Sequence, residues 1–108
     1  MSRFLRLTRQ AQDSLVDIAS WTARTFGQRQ ARAYEEELIA RCRMIADGTV
    51  PSRSCRDLLD PGVDENLRFV RCGQHFAIFV EDDTTVSVLD FLHARSDLPA
   101  KLARLSGS

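Results

Sequence analysis

The sequence predicts an α+β domain with the order β-α-α-β-β-β and a short closing helix. Three observations carry this. Residues 9–47 hold two stretches with apolar residues at helical spacing, broken only at Gly27. Residues 66–93 hold three runs rich in Val, Phe, Ile and Thr, broken at Gly73-Gln74 and Asp82-Asp83. Helices come as one block and strands as another, the arrangement of an α+β domain.

The first strand is Phe4-Leu5-Arg6-Leu7, and Thr8 then caps a helix by offering its hydroxyl to an unpaired backbone N–H. Ala11, Leu15, Ile18, Ala19, Thr22 and Phe26 form the apolar stripe of that helix, and Gly27 stops it. A second helix follows at once, from about Gln28 to Asp47, with a stripe of Ala31, Tyr34, Leu38, Cys42 and Ile45. So short a break makes the pair an αα-hairpin. Thr49 to Asp64 reads as a loop, punctuated by Pro51 and Pro61-Gly62.

Three strands follow: Asn66 to Cys72, His75 to Glu81, and Thr85 to His93. A two-residue turn at Gly73-Gln74 pairs Cys72 with His75 and fixes the register. One face then carries Leu67, Phe69, Phe76, Ile78 and Val80, the expected core. The other carries Arg68, Val70, Cys72, His75, Ala77, Phe79 and Glu81, and is expected to stay open to a partner. A second two-residue turn at Asp82-Asp83 places Asp90 opposite His75 on that open face, because burying an unpaired carboxylate is costly. Leu89, Phe91 and His93 then lie on the core side. Asp97 caps the closing helix, with Leu98, Leu102 and Leu105 on its buried side.

A chain of 108 residues is one domain of ordinary size, here residues 1–105, with Ser106-Gly107-Ser108 as a disordered tail or expression remnant. At 44% hydrophobic and 28% charged residues, it has the profile of a globular protein needing no disulfide or metal to fold. Lys+Arg and Asp+Glu balance at 15 each, which weighs against a sequence-specific or generic nucleic-acid binder. Lys101 is the only lysine, and arginine is the cation better suited to bidentate and interface contacts. Three cysteines at irregular spacing read as reduced thiols, so a cytoplasmic location is expected. MSRFLRLTRQ lacks the apolar core of a signal peptide, and no stretch reaches the ~20 apolar residues of a membrane span.

The chemistry candidates lie near the strand ends. Cys72-x-x-His75 has ligand-like spacing, but no second clustered pair completes a zinc site, so no metal or cofactor is expected. Cys72, His75 and Asp90 resemble a nucleophile, base and orienter, but closeness on strands alone does not make a catalytic unit. Metal-free RNA cleavage needs a base, an acid and cations for the phosphate. Arg53, Arg56, Arg68 and His75 supply part of that set, while Asp90 beside them repels phosphate. The plainer reading of Arg68 pairs it with Glu81 or Asp90. His93 and Arg95 read as a polar pair anchoring the tail where the last strand ends. No residue is assigned a catalytic role.

Five segments together resemble the ParE branch of the RelE/ParE superfamily of bacterial toxins. They are Thr8 to Ile18, FGQRQARAY (26–34), CRDLLDPG (55–62), LRFVRCGQHFAIFV (67–80) and VSVLDFLHARSDL (86–98). The resemblance implies a helical hairpin packed on a small antiparallel sheet. It implies the toxin of a type II toxin–antitoxin system, neutralised by a ParD-like antitoxin whose extended and helical tail wraps it. The ParE branch is associated with poisoning of DNA gyrase, which blocks replication, and the RelE branch with mRNA cleavage on the ribosome.

By the same resemblance, Arg68 falls on an arginine that both branches often carry, and Arg56 on a basic loop position. His93 and Arg95 fall on the family's Leu-His-x-Arg ending. Asp90 stands where an arginine is frequent and Phe79 where a tyrosine is. With no lysine cluster and no C-terminal tyrosine, the chain resembles a non-nuclease member. A RelE-type endonuclease and a detoxified co-repressor are the alternatives. Arg53, Arg56, Arg68, His75, Asp90, His93 and Arg95 are the candidates for antitoxin or target binding. The expected antitoxin surface is the open sheet face and the groove beside the helical hairpin.

Overall fold

A computed structural model describes residues 2–58 and 63–105. The expected turn at Pro61-Gly62 and the tail at 106–108 lie outside the described residues. The chain runs β1 (Phe4–Leu7), α1 (Arg9–Phe26), α2 (Gln28–Asp47), β2 (Arg53–Ser54), α3 (Cys55–Leu58), β3 (Arg68–Cys72), β4 (His75–Glu81), β5 (Thr85–His93) and α4 (Leu98–Leu105). The short β2 and α3 occupy part of what the sequence reads as loop; each is too brief to leave a periodic signal.

Local chemistry sets the ends of the helices. Thr8 Oγ1 accepts a 3.1 Å hydrogen bond from Ala11 N–H and starts α1. Gly27, at φ 99°, ends α1 with its N–H on Ala23 O and begins α2 with no intervening residue. A positive φ there suits glycine alone, so the corner fixes the hairpin. At the far end of α2, Arg3 Nη2 donates to Ile45 O at 3.0 Å and its Nη1 pairs with Glu81. A cation at the carbonyl end of a helix answers both the unpaired carbonyls and the helix dipole. Arg3→Ala is therefore expected to lower stability by about 1–2 kcal/mol, read as a shifted urea midpoint. An unchanged midpoint would contradict this role.

The sheet has five strands in the order β1-β5-β4-β3-β2. β1 pairs with β5 in parallel, from Phe4↔Thr85 to Leu7↔Val88, and the other pairs are antiparallel. The helical hairpin packs on one face, as expected, and the sheet is mixed rather than purely antiparallel.

Both faces of the sheet are buried, which corrects the expectation of one open face. Val70, Cys72, Ala77, Phe79, Val86, Val88 and Phe91 pack against Leu15, Leu38, Cys42 and Ile45 of the hairpin. Leu67, Phe69, Phe76, Ile78 and Leu92 pack against Cys55, Val63, Leu98 and Leu102 on the other side. The face expected to be open is thus the main core. The string FAIFV in β4 is continuously apolar, the pattern of a strand covered on both sides. Phe26, expected in the buried stripe of α1, is 64% exposed because the helix ends there, beyond the sheet.

The register of β5 also differs from expectation. Asp82 N–H donates to Thr85 O, so the tight turn is Asp83-Thr84, one place later. The Asp82 carboxylate fixes it by accepting 2.8 Å bonds from Thr84 N–H and Thr85 N–H. A β-bulge follows: Phe79 faces Val88 but Ile78 faces Asp90, which leaves Leu89 extra. His75 consequently lies opposite His93, not Asp90. Leu89 and Phe91, expected on one face, join opposite cores, and His93 is exposed rather than on the core side.

Candidate partner-binding site

The structure divides the seven expected residues into three groups. Arg53, Arg56 and Arg68 cluster where β2 and α3 meet β3. Arg68 is half-buried, donating from Nε to Ser52 Oγ at 2.8 Å and lying 3.4 Å from Glu81 Oε2. Arg56 is exposed and ties its segment together through Val63 O at 2.8 Å and Glu65 at 3.5 Å. Arg53 is exposed, its guanidinium 6.0 Å from the centre of the Phe69 ring. The reading of Arg68 as a partner of Glu81 holds; Asp90 is elsewhere.

His75, His93 and Arg95 form the second group, at the opposite end of β3 and β4. The His75 and His93 rings meet edge to face, 5.1 Å between centres. His75 Nδ1 shares a 2.6 Å hydrogen bond with the Tyr34 hydroxyl, which also accepts from Gln74 N–H. Sequence periodicity assigns Tyr34 to the core of α2, and its ring is half-buried there, but its hydroxyl holds the β3–β4 turn. Gly73, at φ 58°, makes room: a Cβ on it would sit 2.7 Å from the Tyr34 ring. His93 Nδ1 accepts from Arg95 N–H at 3.0 Å, so this pair does shape the strand's exit.

Burial, with His93 adding to it, pushes His75 down from 6.5 to about 4. A folded-state value below the unfolded one means the unfolded chain takes a proton that the folded chain refuses. Stability from this group is complete above about pH 6.5 and is lost as pH falls towards 4. Urea midpoints should fall over this window, and less so in His75→Gln. An equal fall in both proteins would contradict the assignment.

Asp90 stands alone as the third group. The residue is 8% exposed, and its carboxylate turns to α1, where it accepts from Ser14 Oγ and from Gln10 Nε2 at 3.4 Å. The bulge supplies this direction, and bonds from α1 and Phe91 N–H make burial tolerable. The trio of Cys72, His75 and Asp90 is therefore not assembled. The Cys72 thiol is buried beneath α2, donating to Glu37 O, and burial raises its pKa. Burial pushes Cys42 up to about 12 and Cys55 to about 11, which leaves little thiolate at neutral pH. Among the described residues, no group of three or more His, Cys, Asp or Glu is placed to hold a metal ion.

A groove runs beside the helical hairpin at β1, a strand to which the sequence alone assigns no site residue. β1 is an edge strand, paired only with β5. Phe4 N–H and Thr8 N–H point to β5, onto Thr84 O and Val88 O, so the alternate backbone groups at Leu5 face outward. Beside this edge runs a groove against α2, lined by Phe4, Leu5, Leu7, Ile39, Arg43 and Ala46. Phe4 is 79% exposed at its rim. Arg3 N–H on Ala46 O and Gln12 Nε2 on Leu7 O close the two ends of the β1 edge, so it is open at Leu5. An apolar trough, that open stretch of strand edge and the exposed Arg43, with Asp47 at the far end of the groove, suit an extended segment with an acid placed to meet Arg43. The available sequence signal was Phe4 itself, a large apolar residue on an otherwise alternating edge strand.

Among the described residues no helix is long and apolar enough to cross a membrane. A family described as the ParE toxin of the type II toxin–antitoxin system parDE matches residues 5–98. Comparison with curated proteins gives no match. Among solved structures, a chain from the chromosomal ParDE system of P. aeruginosa is similar in fold, with a TM-score of 0.67. It is 15% identical, over 84% of this chain and 95% of that one.

Proposed function

Since the chain belongs to the ParE toxin family of type II toxin–antitoxin systems, we propose that it arrests growth by inhibiting DNA gyrase and that a ParD-like antitoxin neutralises it. The observation that carries the antitoxin reading is the β1 edge, open at Leu5, beside the apolar groove that Arg43 lines. A tail that folds on binding adds a strand to β1 and lays apolar side chains against Ile39 and Ala46. Arg53 and Arg56 at the other sheet edge, and His93 with Arg95 at the strand end, remain exposed candidates for antitoxin or target contact.

Inhibition without catalysis is supported by the separation of the polar groups. The arginines that would hold a phosphate cluster at one end of β3 and β4, and the imidazoles lie at the other. One observation favours the RelE-type alternative: His75 contacts both Tyr34 and His93 at a surface bearing Arg95. Message integrity during growth arrest separates the two. Intact mRNA with halted DNA synthesis is expected, whereas early cleavage of translated messages would establish the nuclease instead. Such a protein acts in the cytoplasm, where gyrase is.

A further inference from the structure

The corner of the helical hairpin, far from the β1 groove, has a composition of its own. Residues 18–34 contain no Asp or Glu and carry Arg24, Arg29 and Arg32. None of these three arginines joins an ion pair among the described residues. Trp21 and Phe26 are 55% and 64% exposed, with rings edge to face 5.9 Å apart. Arg24 and Arg32 line one shallow groove between the helices, together with Gln28, Ala31 and, further along α2, Glu35. Two large aromatics and three unpaired cations thus share the tip, and exposed apolar clusters of this kind mark interaction surfaces.

We infer that the hairpin tip seats the toxin on its target protein, with Trp21 and Phe26 filling an apolar recess rimmed by aspartate and glutamate. This rests on the reading that the chain acts by binding a protein target. Charge complementarity selects the acidic rim, since residues 18–34 at the tip carry three arginines and no carboxylate, and Glu35 and Glu36 enter only where the grooves run on along α2. Tryptophan and arginine are the residues that most often dominate interface energetics. A protein is favoured over nucleic acid because Glu35, Glu36 and Glu37 follow directly and break any longer cationic track. The tip is also separate from the antitoxin groove: Arg29 and Arg43 lie fourteen residues apart on α2, roughly 20 Å of helix.

The test compares the wild type with Trp21→Ser/Phe26→Ser and with Arg24→Glu/Arg32→Glu. Growth arrest without antitoxin, affinity for purified gyrase and affinity for the antitoxin are measured for each. Both variants should lose growth arrest and bind gyrase at least 30-fold more weakly. Their antitoxin affinity should stay within twofold and their thermal unfolding should be unchanged. Because the second variant alters only exposed polar side chains, it keeps the test independent of the aromatic pair. Arrest that is lost in the variants, with no gyrase affinity even in the wild type, supports the tip while removing gyrase as the target. The inference is overturned if either variant arrests growth like the wild type, if antitoxin binding falls in parallel, or if the wild type causes no arrest. Trp21 is the only tryptophan, so its emission reports on the tip directly. Salt-sensitive quenching of it by a single-stranded 20-mer would overturn the inference in favour of nucleic acid.

Discussion

Phe79→Ala should cost about 3–5 kcal/mol of stability and leave little folded protein at 37 °C. The side chain is wholly buried among Leu38, Cys42 and Val88 beneath the hairpin, so truncation leaves a cavity that rigid neighbours on two layers cannot fill. Phe79→Leu keeps most of the volume and should cost less than half as much. Thermal and urea unfolding of the two variants measure the difference. Were Phe79 on an open face, both changes would fall within about 0.5 kcal/mol. A near-neutral Phe79→Ala would therefore reject the two-core architecture.

The second large effect concerns the antitoxin. Phe4→Ala with Arg43→Glu should weaken the complex by about 100-fold or more, since each removes a central contact of the groove and the second adds repulsion. The fold should be indifferent, because Phe4 is 79% exposed and Arg43 is exposed on α2. Calorimetric titration with the antitoxin, beside a melting curve, checks both statements. Unchanged affinity would place the antitoxin on another surface. Growth arrest by this variant should resist antitoxin co-expression while remaining as strong as in the wild type.

Much of the fold was legible because the signals were local. Thr8, Gly27 and the apolar spacing give α1 and α2 their limits, and Gly73 gives the β3–β4 register. The Asp97 carboxylate accepts from Ala100 N–H at the start of α4, as its position suggested. What failed was non-local. The bulge at Leu89 depends on Ser14 and Gln10 of α1, more than seventy residues away, receiving Asp90. No pattern within β5 announces that. The second core depends on α4, Cys55, Val63 and Leu67 covering the far face of the sheet, so a single-core expectation leaves that face bare.

The candidate site was less legible for the same reason. Of the two partners the sequence offers Arg68, Glu81 is the one it meets, because the turn fixes the β3–β4 register, while Asp90 turns to α1. The sequence alone pairs His75 with the wrong strand partner, because the later turn moves its partner on β5 by two residues and the bulge by one more, from Asp90 to His93. The exposed Trp21 and Phe26 are visible only once packing shows which apolar residues the cores leave out.

The most direct measurement of the proposed activity is a supercoiling and cleavage assay with purified DNA gyrase and the purified chain. The account predicts that equimolar protein halts supercoiling and accumulates gyrase–DNA cleavage complexes, and that added antitoxin reverses both. Full supercoiling with no trapped complexes at a tenfold excess of active, growth-arresting protein would contradict it.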